Sequence, residues 1–177
     1  MKHKKSHSLK IIAIDPGKSG GLCVVQDDFI EAKKCPSTVH DMSLLFALAI
    51  NETPPEFIRV VLEKVWARPH DGRSSIFTFA GNYGQWEGII ASHEMDIGYV
   101  TPQAWMKACG IPKKMTKKDR KNYIKDLAKK LYPKLGKKVT LATADAIVLA
   151  HYGQEKYNNI VWYRWVFWAT FDSKGRG

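Results

Sequence analysis

The chain has 177 residues, 45% hydrophobic and 25% charged, enough for one globular domain with a real core and unlike a chain disordered throughout. No apolar stretch reaches the roughly 18–20 residues of a membrane helix, and the basic, polar start from Met1 to Lys10 is unlike a secretory signal. The net charge of +11 is concentrated: thirteen Lys or Arg face only Asp119 and Asp126 between Lys107 and Lys138, while the remainder holds fifteen residues of each sign.

In chain order, Leu9 to Asp15 reads as a buried strand ending in the turn Pro16-Gly17. Gly20 to Gln26 reads as its hairpin partner, and Asp27-Asp28 as the turn to a third short strand, Phe29 to Lys33. Ser37 or Thr38 can cap a helix carrying Met42, Leu44, Leu45, Leu48 and Ile50, which Pro54-Pro55 ends. Ile58 to Leu62 is a continuous apolar strand of the kind buried on both faces.

A loop from Trp66 to Arg73 leads to a helix from about Ser74 to Glu94, with Gly81, Gly84 and Gly88 on one face. Each glycine costs about 1 kcal/mol against alanine, so this face is expected to admit a close backbone approach by the sheet or by a second subunit. Asp96 to Val100 is a further strand, and Thr101-Pro102 opens a helix with a hydroxyl cap and a first-turn proline. Thr116 and Asp119 open a basic helix through Leu131, and a last helix spans Leu141 to Tyr152. Three strands, a helix, then alternating strands and helices predict an α/β fold with a mixed sheet. Ile160 to Phe171 is dense in aromatic residues; an edge strand packed on the body, a dimer contact and a base-stacking surface all fit it.

A neutral body with one basic segment points to a polyanionic partner, beside the blander reading of a solvated lysine-rich helix face. Cys23, Cys35 and Cys109 match neither a disulfide framework nor a zinc pattern and suit a reducing cytoplasm. Three carboxylates stand out by placement. Asp15 and Glu63 end apolar strands, and Asp145 sits near the start of the last helix between two alanines. An acid at the end of a buried strand is costly unless it is paired or holds a cation. Singly, each has an ordinary explanation as a turn residue, a salt bridge or a helix-dipole partner. Together, and with a basic segment, they predict a site for hard divalent cations.

These residues carry a resemblance. IIAIDPGKSGG resembles the first motif of RuvC-family Holliday junction resolvases. VVLEKVWARPHDGRSSIFTFAGNYGQWEGII is similar to the second region of RuvC-like proteins common in phage genomes. YVTPQAWMKACGI, the basic helix ending LAKKLYP, and ATADAIVLAHYG continue the resemblance in the same order, over about residues 9–153. It implies a single RNase H-like domain across 1–177, a mixed five-stranded sheet flanked by helices, with a basic extension at 1–8 and an aromatic segment at 154–177.

The resemblance further implies a homodimer that resolves Holliday junctions and other branched DNA by paired nicking, with Y-junctions and flaps left open as further substrates. Two Mg2+ ions per site would do this, with Mn2+ substituting, one activating a water and the other stabilising the leaving 3′-oxygen. By resemblance, Asp15, Glu63 and Asp145 match the metal-binding acids, and Trp66 matches an aromatic that stacks on junction bases. Lys107 and one of Lys117, Lys118 or Lys121 match lysines that act at the scissile phosphate. Arg68 and Arg73 beside Trp66, and Lys113, Lys114, Lys117, Lys118, Arg120 and Lys121, are expected to contact DNA.

One position departs from the pattern. Bacterial RuvC enzymes carry Asp or His three residues before the last acid, where this chain has Ala142. A site of three acids, water and a hydroxyl such as Thr140 or Thr143 is one expectation; a non-catalytic junction-binding protein is the alternative. An actin-like kinase also opens with Asp-x-Gly, but needs two such domains and a second phosphate loop, which this chain lacks.

Overall fold

The computed structural model of the chain describes residues 8–64, 66 and 72–157, apart from the side chains of Arg73 and Ser75. Strands β1 (Lys10–Asp15), β2 (Gly21–Gln26) and β3 (Phe29–Lys34) form the expected antiparallel meander. Helix α1 (Val39–Ile50) follows, capped by Thr38, whose hydroxyl accepts the Asp41 amide at 3.1 Å. Next come β4 (Ile58–Glu63), α2 (Arg73–Ser92), β5 (Ile97–Val100), α3 (Pro102–Ala108) and α4 (Lys117–Leu131). A last helix, α5, occupies 144–157. The sheet is mixed, in the order β3-β2-β1-β4-β5, with β4 parallel to both β1 and β5.

Alternation along the strands builds a core on each face of the sheet. Ile11, Ala13 and Val61 face one way and pack with Trp105, Ile124, Ala128 and the buried run Ala146–Ala150 of α5. Ile12, Ile14, Val60 and Leu62 face the other way and pack with Met42, Phe46, Trp86 and Ile90 of α1 and α2. This two-sided burial is why β1 and β4 read as unbroken apolar runs. Among the described residues no helix is long and apolar enough to cross a membrane, and all three cysteines are free thiols.

Two expectations need correction. The last helix starts at 144 rather than Leu141, because 141–143 form a turn closed by hydroxyls. Thr143 Oγ1 accepts the Thr140 amide at 2.9 Å and donates to the Lys138 carbonyl at 2.7 Å, and Thr140 Oγ1 accepts the Ala142 amide at 3.2 Å. The sheet also does not approach the glycine face of α2: a Cβ on Gly81, Gly84 or Gly88 would meet nothing within 4 Å among the described residues. The face is open in the single protomer, and Gly84 on it lines the cleft described below. The aromatic run 160–171 lies outside the described residues.

Candidate functional site

Residues two apart on a strand share a face. Asp15 therefore follows Ile11 and Ala13, and Glu63 follows Val61, onto the side covered by α3, α4 and α5. In the parallel β1–β4 pair Ile14 stands beside Leu62, so the two acids come one step later as neighbours, with their backbones about 5 Å apart. Asp145, the second residue of α5, is brought to the same place, which also suits its carboxylate to the helix N-terminus.

Two glycines make this convergence possible. A Cβ on Gly20 would lie 2.1 Å from the Asp15 carbonyl oxygen, so only glycine lets the β1–β2 turn fold back on Asp15. A Cβ on Gly21 would lie 3.0 Å from the Ala142 carbonyl oxygen, so the bare backbone of β2 admits the turn that leads into Asp145. The β1–β2 turn is pinned from the other side, where the buried Asn82 amide of α2 donates to the Pro16 carbonyl at 2.9 Å.

The three acids are held by different partners. Trp105, buried in α3, donates its indole N–H to Glu63 Oε1 at 2.8 Å. Lys121 of α4 donates to Asp145 Oδ2 and forms an ion pair with it. Asp15 Oδ1 accepts only a long bond from the Gly17 amide, at 3.4 Å. Asp145 Oδ1 is buried with no hydrogen-bond partner among the described residues.

Burial pushes the Asp15 carboxyl up to about 6, with the charge of Asp145 adding to the effect and Lys121 opposing it. Glu63 is pushed up to about 8, first by burial and then by the charge of Asp15, against the Trp105 hydrogen bond. Burial alone would lower the Lys121 ammonium, but Asp145, Asp15 and Glu63 outweigh it and hold Lys121 above the ordinary lysine value. One lysine thus faces three carboxyl groups, and once all three are ionised negative charge is in excess.

That excess, the oxygen-only donor set and the orphaned Asp145 oxygen suit a hard divalent cation. Among the described residues no group of three or more acid, histidine or cysteine side chains is placed to hold a metal ion as the chain stands, and Lys121 holds one oxygen of Asp145 and Trp105 one of Glu63. The Thr140 and Thr143 hydroxyls, expected as substitute donors, are engaged in the turn described above.

The acids lie in a cleft of 1520 Å3 that straddles the end of the sheet. This is larger than the roughly 300–1,000 Å3 of small-ligand pockets. Lys107 from α3, Lys113, and Lys117, Arg120 and Lys121 from α4 line it on one side; Ile76, Phe79 and Tyr83 of α2 line it on the other. Trp66 is at its rim, 59% exposed, with the Lys64 ammonium 5.7 Å from its ring centroid. Lys114 and Lys118 are exposed and do not line the cleft. Arg68 and the side chain of Arg73 lie outside the described residues. A second cavity, of 690 Å3, lies at the far end of β1, where Lys10 donates to the Ala49 and Asn51 carbonyls and closes α1.

Trp105 and Asn82 do not stand out in the sequence as site residues. Trp105 carried a usable signal, since a tryptophan buried in a helix has an indole N–H that needs an acceptor. Within the lysine run, Lys121 stands three residues before buried Ile124 and seven before buried Ala128, on the docked face of α4, while Lys118 is off it.

The sequence matches no family model and no curated protein. Two solved structures of Thermus thermophilus RuvC resemble the fold, each at 14% identity over 86% of this chain and 96% of that one. The TM-score is 0.56 for RuvC in complex with a Holliday junction substrate and 0.50 for the other RuvC structure. The mixed five-stranded sheet flanked by helices is thus the RNase H-like fold of RuvC.

Proposed function

We propose that the protein is a metal-dependent endodeoxyribonuclease of the phage RuvC-like kind that cuts branched DNA, four-way junctions included, and acts as a homodimer making paired nicks. The observation that carries this reading is the meeting of Asp15, Glu63 and Asp145 at the end of the sheet, inside a cleft whose α3–α4 side carries Lys107, Lys117, Arg120 and Lys121. The fold adds support, being that of a protein solved with a Holliday junction substrate.

Asp15, Glu63 and Asp145 would hold Mg2+ or Mn2+. A cation held there supplies Lewis acidity toward an attacking water and the leaving 3′-oxygen. Lys107 and Lys121 offset charge on the scissile phosphate. Lys113, Lys117 and Arg120, with Lys114 and Lys118 outside the cleft, hold neighbouring phosphates without reading sequence, so binding weakens steeply with salt. Trp66 stacks on a base at the branch point.

The test is cleavage of a labelled four-way junction beside a linear duplex, in Mg2+, Mn2+ or EDTA, by the wild type and by Asp15→Asn. Metal-dependent paired nicks confined to the junction, lost in Asp15→Asn while junction binding persists, are expected. Cutting by Asp15→Asn removes the site assignment. A second reading, a junction-binding protein without nuclease activity, is favoured by Ala142 and by the hold of Lys121 on Asp145. Tight, salt-sensitive junction binding with no cutting in either metal selects it.

A further inference from the structure

Phosphate contacts account for one side of the cleft only. On the other side, Ile76, Phe79 and Tyr83 present apolar and aromatic surface from α2. Tyr83 is half-buried against the core beneath α1 and α2, but among the described residues Ile76 and Phe79 belong to neither hydrophobic core, so packing of the fold does not explain those two. The Phe79 and Tyr83 rings lie 6.4 Å apart with their planes 32° from parallel, as neighbours one helical turn apart. Burial and the adjacent Glu87 carboxylate push the Tyr83 phenol up to about 12, so that ring adds no negative charge. Trp66 lines the same cleft at its rim. Lys64 lies 5.7 Å from the centroids of both Trp66 and Tyr99, and the Tyr99 hydroxyl donates to Glu87 on α2 at 2.7 Å.

A cleft with cations on its α3–α4 side and aromatic rings on its α2 side, where the Glu87 carboxylate is engaged by Tyr99, matches a single nucleic-acid strand, which carries phosphates along one edge and base faces along the other. A fully paired duplex keeps its base faces stacked inside. From Ile76 to Tyr83 the helix rises about 10 Å, room for about three bases at 3.4 Å each.

We propose that the α2 surface of Ile76, Phe79 and Tyr83, with Trp66 at the rim of the cleft, is a stacking platform for about three unpaired nucleotides. The preferred substrates are then branched DNAs with a single-stranded stretch at the branch, gapped junctions and flaps, ahead of fully paired four-way junctions. This rests on the reading of the cleft as a DNA site.

The experiment is equilibrium binding of the whole protein in EDTA to DNAs with identical arms. One is a fully paired four-way junction, one has a three-nucleotide gap at the crossing, one is a flap, and a linear duplex completes the set. A 2-aminopurine in the gap reports stacking. The gapped and flap DNAs should bind about tenfold tighter than the paired junction, with quenched 2-aminopurine fluorescence. Phe79→Leu and Tyr83→Leu should each shrink that preference to about twofold, with the salt slope unchanged because no phosphate contact is lost. Phe79→Trp should restore it. Equal wild-type affinity for paired and gapped junctions, or no quenching, overturns the platform. Leucine variants that weaken both DNAs by one common factor also overturn it. Failure to bind any branched DNA better than the duplex instead sinks the DNA reading itself.

Discussion

Trp105 donates its indole N–H to Glu63 Oε1 at 2.8 Å, joining a buried residue of a seven-residue helix to the acid that ends β4. Glu63 is only 8% exposed, so water cannot replace this donor readily. Trp105→Phe keeps most of the packing and strands that oxygen, at a cost of about 1–3 kcal/mol. Denaturant unfolding at pH 5 and pH 9 separates this effect from simple packing. The bond is stronger to an ionised carboxylate, so the loss should be larger at pH 9; equal losses at both pH values would leave Trp105 as a packing residue only.

Stability without divalent cations should depend on pH through the same acids. Folding raises Asp15 to about 6 and Glu63 to about 8, against about 3.9 and 4.3 in unfolded chains. The folded protein therefore binds these protons more tightly, and their contribution is full below about pH 4 and lost as pH rises through about 8. Mg2+ replaces protons at the site, so the rise in Tm on adding Mg2+ should be small at pH 5 and larger at pH 8.5. Thermal melts with EDTA and with Mg2+ check this, and a Mg2+ shift independent of pH contradicts it.

Lys121 is the resident counter-charge of the site, bonded to Asp145 and influenced by Asp15 and Glu63 as well. Its side chain is 35% exposed, which moderates the effect of removing it. Lys121→Met should destabilise the protein in EDTA at pH 8 by roughly 1–2 kcal/mol after allowance for solvent, and Mg2+ should reduce that loss. A variant that is more stable than the wild type under the EDTA condition would show that the ammonium is not needed to balance the acids.

The glycines give opposite predictions according to their surroundings. Gly20→Ala would place a Cβ 2.1 Å from the Asp15 carbonyl oxygen and 2.9 Å from its carboxyl carbon. It should cost about 1–3 kcal/mol or more and reduce cleavage with it. Gly81→Ala meets open space and should stabilise an isolated protomer by about 0.5–1 kcal/mol through helix propensity. Should that face join two subunits, Gly81→Ala instead weakens association, which sedimentation at several concentrations reads directly.

Much of the architecture was legible because it is local. Unbroken apolar runs marked β1 and β4 as strands buried on both faces, and Thr38, Thr101 and Thr116 marked helix starts where their hydroxyls now accept backbone amides. The period of two on a strand was enough to place Asp15 and Glu63 on one rim once their strands were taken as neighbours. The start of the last helix is not legible in the same way, because Thr140 and Thr143 offer the backbone a hydrogen-bonded turn in competition with another helical turn.

By itself, then, the sequence determined the order and type of the elements, the concentration of positive charge near one segment and the three acids that meet. The tertiary structure alone decided that Lys121 and not Lys118 pairs with Asp145, that Trp105 holds Glu63, and that α2 contributes an aromatic side to the cleft. Those relations join residues 24, 42 and more positions apart. They depend on how α2, α3 and α4 dock against opposite faces of one sheet, which is set by the packing of its two cores and not by any periodicity within a single element.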